Sequence, residues 1–411
     1  MRILICCEFY PPSIGGVQKV MQEVAEGLAR RGHQVTVATS KLKERDFNKL
    51  NSVTIKEFDV KGNLVTGITG EVARYREFVV GGKFDAILVY AAQQWTFDAL
   101  WEILPSIQCR KVHVPCGYSG LYDPRYSEYF QNMPVILREF DHLIFHASCY
   151  RDIQFARAKG FTNFSVIPNG ASEAEFSAPP IPDLRQKLGI SEKEFVFLTV
   201  GNPRLQKGHL EVAEAYSLME LPFPSVLILN DRPRPDNQSP ASRVLSCMKA
   251  LMIHRNTEEG KLWNTIRRCR RLPGKRLLLT NLKRDEVISA FFISDLFVFA
   301  SRIEYSPLVL FESAAAGLPF LSVSVGNASE IAQWTGAGVI CQGIYDKRGF
   351  TLTDPNVLAR EMSRLAKDPQ LLEELGWQGR KNWKERFSWN RIVSKYEDVL
   401  IGKAGCTPKK Y

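Results

Sequence analysis

A chain of 411 residues exceeds what one hydrophobic core usually supports, which predicts two domains of about 150 to 200 residues each. Its 45% hydrophobic and 24% charged content excludes a chain dominated by disorder. The net charge of +10 is concentrated, with twelve Lys or Arg against four Asp or Glu in residues 231–276.

The opening MRILICCEFY lacks the long apolar region and cleavage site of a signal peptide, and Pro11-Pro12 ends it, so residues 3–7 are expected to form a first strand. No run of about 18 apolar residues occurs, so a transmembrane helix is not expected. Nine scattered cysteines without a C-x-x-C pair argue against a disulfide framework or structural zinc and for a reducing, cytoplasmic compartment. Gly15 and Gly16 follow a Pro-containing loop. Then Val17, Val20, Met21, Val24, Ala25 and Leu28 recur at helical spacing before Gly32, giving strand, glycine loop and helix. The third glycine of G-x-G-x-x-G is missing, so the pair alone reads as an ordinary turn; beside a ligand it would let the backbone come close.

Residues 35–39, 84–90, 111–114, 142–146 and 165–167 are further strand candidates, and His113 on one of them reads as a core residue rather than a base. A first α/β domain thus ends near Pro168-Asn169-Gly170. Pro179, Pro180 and Pro182 mark a linker, after which strands are expected at 195–200, 226–229, 277–279, 296–300 and 320–323. The basic 231–276 stretch falls between the second and third of these. It reads either as a solvated insertion or as a surface for anionic lipid or acidic substrate, and its sparse aromatics give nucleic-acid binding little support. A helical stretch at 389–400 and a polar tail close the chain.

Two constellations carry chemistry. In Glu304-Tyr-Ser306-Pro307-Leu308-Val309-Leu-Phe-Glu312, an apolar strand precedes and a helical pattern follows, with Pro307 expected in the first helical turn. The free N–H groups of residues 308–310 would then bind phosphate, with Glu312 reaching a ribose diol and Glu304 approaching from the loop. Two glutamates at this spacing alone would more often be capping or surface residues. In Gly201-Asn202-Pro-Arg204-Leu-Gln-Lys207-Gly208, two cations sit where a strand of an open α/β sheet ends, the place at which ligands collect. Fixed there, they would stabilise a departing diphosphate; the plain alternative is a basic solvent loop. P-loop, G-x-S-x-G, H-E-x-x-H and D-x-D patterns are missing, so a metal-dependent mechanism is not indicated.

The ordered set IGGVQKV, VIPNG, TVGNPRLQKG, SDLFVFASRIEYSPLVLFESAAAGLP and FSW resembles the retaining glycosyltransferases of family 4 over nearly the whole chain. The resemblance implies the GT-B architecture, an α/β fold of two Rossmann-like domains whose parallel sheets face across a cleft. On that reading residues 1–178 form an acceptor-side domain, 179–388 a donor-side domain, and 389–411 a helix crossing back to the first domain, and tail. It implies that Arg204, Lys207 and Glu304 are catalytic. Gly15, Gly16, Gly201, Asn202, Ser306, Pro307, Leu308, Val309 and Glu312 would share donor binding with them. The nucleotide-sugar is a substrate, and neither a cofactor nor a metal is expected. The acceptor implied is a glycan or lipid-linked glycan, and the basic stretch adds peripheral contact with an anionic membrane. Two positions depart from the family pattern: Asn202 stands where Arg is usual, and Cys116 where many members have His. A catalytically degenerate protein that binds a nucleotide-sugar or glycan is therefore the competing expectation, with a nucleotide-sugar epimerase behind it.

Overall fold

The structure, a computed structural model, describes residues 1–201, 205–230, 258–269, 271–346 and 349–403. It divides into two compact units, 1–169 with 387–411, and 170–386.

The first unit is built on an eight-stranded sheet. Its strands are β1 (Arg2–Cys6), β2 (Gln34–Ser40), β3 (Lys49–Leu50), β4 (Val53–Phe58), β7 (Ala86–Tyr90), β8 (Arg110–Val114), β9 (His142–Phe145) and β10 (Phe164–Val166), while β5 (Val60–Asn63) and β6 (Gly67–Gly70) make a separate hairpin. The order is β10-β9-β8-β7-β1-β2-β4-β3, parallel except for the β3–β4 pair. Ile3 to Cys6 are fully buried, as expected for a central strand covered on both faces. The chain runs outward from β1 through β2 and β4, then returns on the other side through β7, so the direction of winding reverses between β1 and β7.

The helix Gly16–Arg30 follows β1 and buries Val20, Met21, Val24, Ala25 and Leu28, the residues whose spacing predicts it. The helix Trp389–Leu400 packs on it within the same unit. A Cβ at Gly27 would come within 2.6 Å of Val393, so glycine permits the close approach. Glu397 takes Arg31 at 3.0 Å and His33 at 2.7 Å, and Arg110 donates to the Val399 carbonyl at 2.7 Å.

The second unit carries a six-stranded, all-parallel sheet in the order β13-β12-β11-β14-β15-β16. These are β11 (Phe195–Val200), β12 (Ser225–Asn230), β13 (Lys275–Thr280), β14 (Leu296–Phe299), β15 (Phe320–Val323) and β16 (Gly338–Cys341), followed by the hairpin β17 (Ile344–Tyr345) and β18 (Thr351–Leu352). Every strand expected from the sequence is present; β3 to β6 and β16 to β18 are additional. Most of the basic 231–276 stretch lies outside the described residues, except the helix Glu258–Cys269 and residues 271–276. The seven described cysteines are free thiols. Among the described residues, no helix is long and apolar enough to cross a membrane.

Candidate active site

The site in the second unit is assembled by two loops at the C-terminal ends of paired strands, β11 and β14. After β11, Gly201 bonds weakly to the Asn230 carbonyl at 3.4 Å, and Gln206-Lys207 forms part of a short 3-10 turn. Asn202 and Arg204 lie outside the described residues. The turn is tied to the second loop: Arg302 N–H donates to the Gln206 carbonyl at 2.7 Å, and Ser301 Oγ lies 3.0 Å from the same carbonyl.

Gly208 then enters the helix His209–Leu218 with φ +72, and a Cβ there would lie 1.9 Å from the Ala300 carbonyl oxygen. Only glycine fits both the backbone conformation and the gap. The result is that Lys207 Nζ meets Glu304 Oε1 at 2.5 Å, with Ser301 Oγ donating to the same oxygen at 2.8 Å. The Glu304 carboxylate is mostly buried, 14% exposed, while Lys207 keeps 27% of its side chain open. An ammonium has three donors, so Lys207 can hold Glu304 and still meet an anion.

The Glu304 loop is braced from below. Asn327 N–H donates to the Tyr305 carbonyl at 3.0 Å, and at Gly326, with φ +55, a Cβ would lie 2.6 Å from that same oxygen. Arg302 Nε reaches Glu211 at 2.6 Å, joining the loop to the His209–Leu218 helix.

From this loop the helix Leu308–Ala316 begins. Pro307 is its N-cap, one position before the first helical turn in which the sequence pattern sets it, with ψ 119 keeping it extended. Proline there supplies no side-chain acceptor, so among the described residues no side chain caps the helix, and the N–H groups of Leu308 and Val309 stay available to an anion. Ser306 sits in the same loop, its hydroxyl buried. Glu312, a full turn further, is 7% exposed. Its Oε1 accepts from Arg284 Nη2 at 2.6 Å, and Arg284 also pairs with Glu175 at 2.7 Å.

His209 packs under Gly201, with Nε2 buried and unbonded. Burial first, then the Lys207 charge, pull its pKa down to about 4, so it is neutral.

Gly15 and Gly16 belong to the first unit: Gly15 is the extended N-cap of the Gly16–Arg30 helix, and nothing lies within 4 Å of a Cβ placed on Gly16. Cys116 follows β8 with φ +60. Its thiol is turned inward to Tyr90 Oη at 3.7 Å. His146 Nδ1 lies 2.9 Å from the Ile167 carbonyl, which can only accept, so the proton sits on Nδ1 and Nε2 accepts from Tyr90 at 2.9 Å. Burial raises the Cys116 pKa to about 12. The thiol is thus a protonated hydrogen-bond donor spent on the protein's own interior. His113 is a core residue as expected, stacked on Phe97 with ring centroids 4.2 Å apart and pushed to a pKa of about 3 by burial.

Against family models, residues 14–175 match Glycosyltransferase Family 4 and residues 269–382 match Glycosyl transferases group 1. The chain is a family 4 glycosyltransferase. Among its relatives is N-acetyl-alpha-D-glucosaminyl L-malate synthase of Bacillus anthracis, 23% identical over 97% of this chain and 96% of that one. Another is alpha-monoglucosyldiacylglycerol synthase of Acholeplasma laidlawii, 23% identical over 78% of this chain and 80% of that one. The fold agrees with sucrose-phosphate synthase of Thermosynechococcus elongatus, with a TM-score of 0.70 at 18% identity over 98% of this chain and 100% of that one. It agrees as well with Anabaena HepE in complex with UDP-glucose, with a TM-score of 0.68 at 16% identity over 98% and 100% of the two chains. The two parallel-sheet units are those of the GT-B fold.

Within this glycosyltransferase the structure brings Lys207 to Glu304 and places Gly201, Ser306, Pro307, Leu308, Val309 and Glu312 in the same unit. Sequence reasoning missed Arg284, Glu175 and Ser301. Of these, only Ser301 lay within a motif already singled out, at the C-terminal end of the β14 run.

Proposed function

We propose that this glycosyltransferase moves a sugar from a nucleoside-diphosphate sugar to an acceptor hydroxyl with retention of anomeric configuration. The observation that carries the reading is the Lys207–Glu304 pair beside an uncapped helix start, with Glu312 one turn further along. A diphosphate needs fixed positive charge and N–H donors. Lys207 and the Leu308 and Val309 amides supply them, with Arg204 assigned the same role from its place in the loop. As the bond from C1 to the phosphate oxygen breaks, negative charge grows on the diphosphate, so these groups bind the transition state more tightly than the ground state. Glu304 accepts from hydroxyls of the transferred sugar and Glu312 from the ribose diol. The acceptor oxygen attacks C1 from the face the diphosphate leaves, and its proton passes to the departing phosphate oxygen, which balances the step without a carboxylate nucleophile. Charge neutralisation in this scheme comes from side chains and amides, and no metal or cofactor is invoked.

The comparisons support the donor class, since HepE is seen with UDP-glucose. Retention is supported by the alpha products in the names of both relatives, the configuration ordinarily found in nucleotide-hexoses. The proposed acceptor is a glycan or lipid-linked glycan. For a lipid-linked one, the basic 231–276 stretch would meet the anionic membrane surface. Nucleotide release from UDP-, GDP- and ADP-sugars, followed by NMR of the product's anomeric proton, tests the reading. Donor binding with neither transfer nor hydrolysis would establish instead the degenerate binding protein suggested by Asn202 and Cys116. Binding to anionic vesicles that weakens as salt is raised tests the membrane contact, and equal binding to neutral vesicles would remove it.

A further inference from the structure

Three separate pieces of the second unit meet at the Arg284 guanidinium. Arg284 opens the helix Arg284–Ile293, whose start is fixed by the Lys283 N–H donating to Glu286 Oε2 at 2.8 Å. Its Nη2 donates both to Glu312 Oε1 at 2.6 Å and to Glu175 Oε2 at 2.7 Å, and its Nε lies 3.3 Å from Glu175 Oε1. The guanidinium also lies over the Phe176 ring, 5.8 Å from its centroid. The Glu312 side chain is 9% exposed and that of Arg284 40%, so the cation spans from the buried acid to the surface. Burial alone would lower the pKa of Arg284, but the charges and hydrogen bonds of Glu312 and Glu175 outweigh it and raise it.

We propose that Arg284 is a positioning residue for the donor: it anchors Glu312 through one oxygen, so that the other is presented to the ribose diol, and it cancels the Glu312 charge beside the incoming diphosphate. The inference rests on Glu312 holding the ribose. A carboxylate gripped on one oxygen cannot swing, and the hydroxyls it accepts meet a preorganised partner. Without the arginine, Glu175 and Glu312 would be left as two mostly buried like charges. The uncompensated charge would repel both the neighbouring carboxylate and the diphosphate. A purely structural ion pair would share the geometry but not the consequence for ribose selectivity.

The probe is whichever of UDP, GDP and ADP binds the full-length enzyme, compared by titration calorimetry with its 2′-deoxy counterpart. Glu312→Gln is expected to abolish the preference for the ribonucleotide. Arg284→Met should weaken ribonucleotide binding about 10-fold and shrink the preference, and the double variant should be no worse than Glu312→Gln alone, because both changes remove one function. Arg284→Lys, which keeps the charge without the fork, should fall between, and it serves if the methionine variant does not fold. If Arg284→Met, or Arg284→Lys in its place, keeps the full preference while Glu312→Gln loses it, the role of Arg284 is overturned and the ribose reading stands. If Glu312→Gln keeps the preference, the ribose reading falls, and this inference with it.

Discussion

The sheet edges of the two units are finished in opposite ways. In the second unit the tight places are relieved by glycine, at Gly208 and Gly326, and the loops carry full charges joined in pairs, Lys207 with Glu304 and Arg284 with Glu312. In the first unit the strand ends after β7 and β8 place ordinary side chains at positive φ: Ala91 at +67, Gln93 at +64, Cys116 at +60 and Tyr118 at +47. The Cys116 side chain there joins a neutral series of thiol, phenol and imidazole, and the Gly117 N–H donates to the buried Asp152 at 2.9 Å. On the proposed function one edge is made for anions and diols, where charge must be held without moving. The other stores backbone strain, which in folded proteins gathers where a surface is shaped for a ligand.

The largest effect should come from removing charge at the first of these edges. Lys207→Ala deletes the cation and leaves Glu304 uncompensated, and is expected to lower kcat by about 10²–10³-fold, the range found for one lost electrostatic donor. Steady-state kinetics with the cognate donor checks this, and a variant within a few-fold of the parent would show the charge of Lys207 to be dispensable. Gly208→Ala tests the packing of the same edge. Its Cβ would collide with the Ala300 carbonyl at a φ that alanine disfavours, so a loss of about 2–4 kcal/mol in urea unfolding is expected, together with a raised donor KM.

Much of this edge was legible in the sequence, for reasons particular to its residues. The runs at β11, β12 and β14 are apolar because strands covered on both faces must be, and the E-x7-E segment lies between such a run and a helical period. Strand β16 escaped because an edge strand is only half covered; Gly338, Val339 and Ile340 are each partly exposed. The Arg284 contacts left no signal at all. Its partners stand 109 and 28 residues away, and such a pair has no period and no fixed spacing. Pro307 was misplaced by one residue, since a proline suits the N-cap and the first turn alike wherever no N–H is required.

A smaller effect probes the core of the first unit by pH. Burial holds His113 at a pKa of about 3 in the folded chain against about 6.5 when unfolded, so the unfolded state binds the extra proton between these values. The neutral ring's contribution is complete above pH 6.5 and is lost progressively as the pH falls towards 3. Going from pH 7 to pH 5, the parent should lose about 2 kcal/mol more unfolding free energy than His113→Leu, in which that proton has no site. His142, His146 and His209, also held low by burial, are common to both proteins and drop out of the difference. Equal losses would mean that His113 titrates normally in the fold.

The smallest effect on stability is the sharpest test of the contrast. Ala91 is 5% exposed, and its N–H donates to the Val114 carbonyl at 2.8 Å, so the strained residue is fixed between β7 and β8. Left-handed backbone costs alanine about 1 kcal/mol, which Ala91→Gly would recover, while the more flexible unfolded chain would return a similar amount. Unfolding free energy should therefore change by less than about 1 kcal/mol in either direction, unlike Gly208→Ala, where the collision with the Ala300 carbonyl adds to the backbone strain and together they outweigh the gain from a stiffer unfolded chain. If strain in the first unit shapes the bed for the acceptor, relaxing it should raise the acceptor KM by roughly 3–10-fold and leave the donor KM unchanged, because a looser loop must be ordered on binding. A change in donor KM alone would mean that the left-handed turns of the first unit serve the nucleotide-sugar, and that the division of labour between the two edges is drawn in the wrong place.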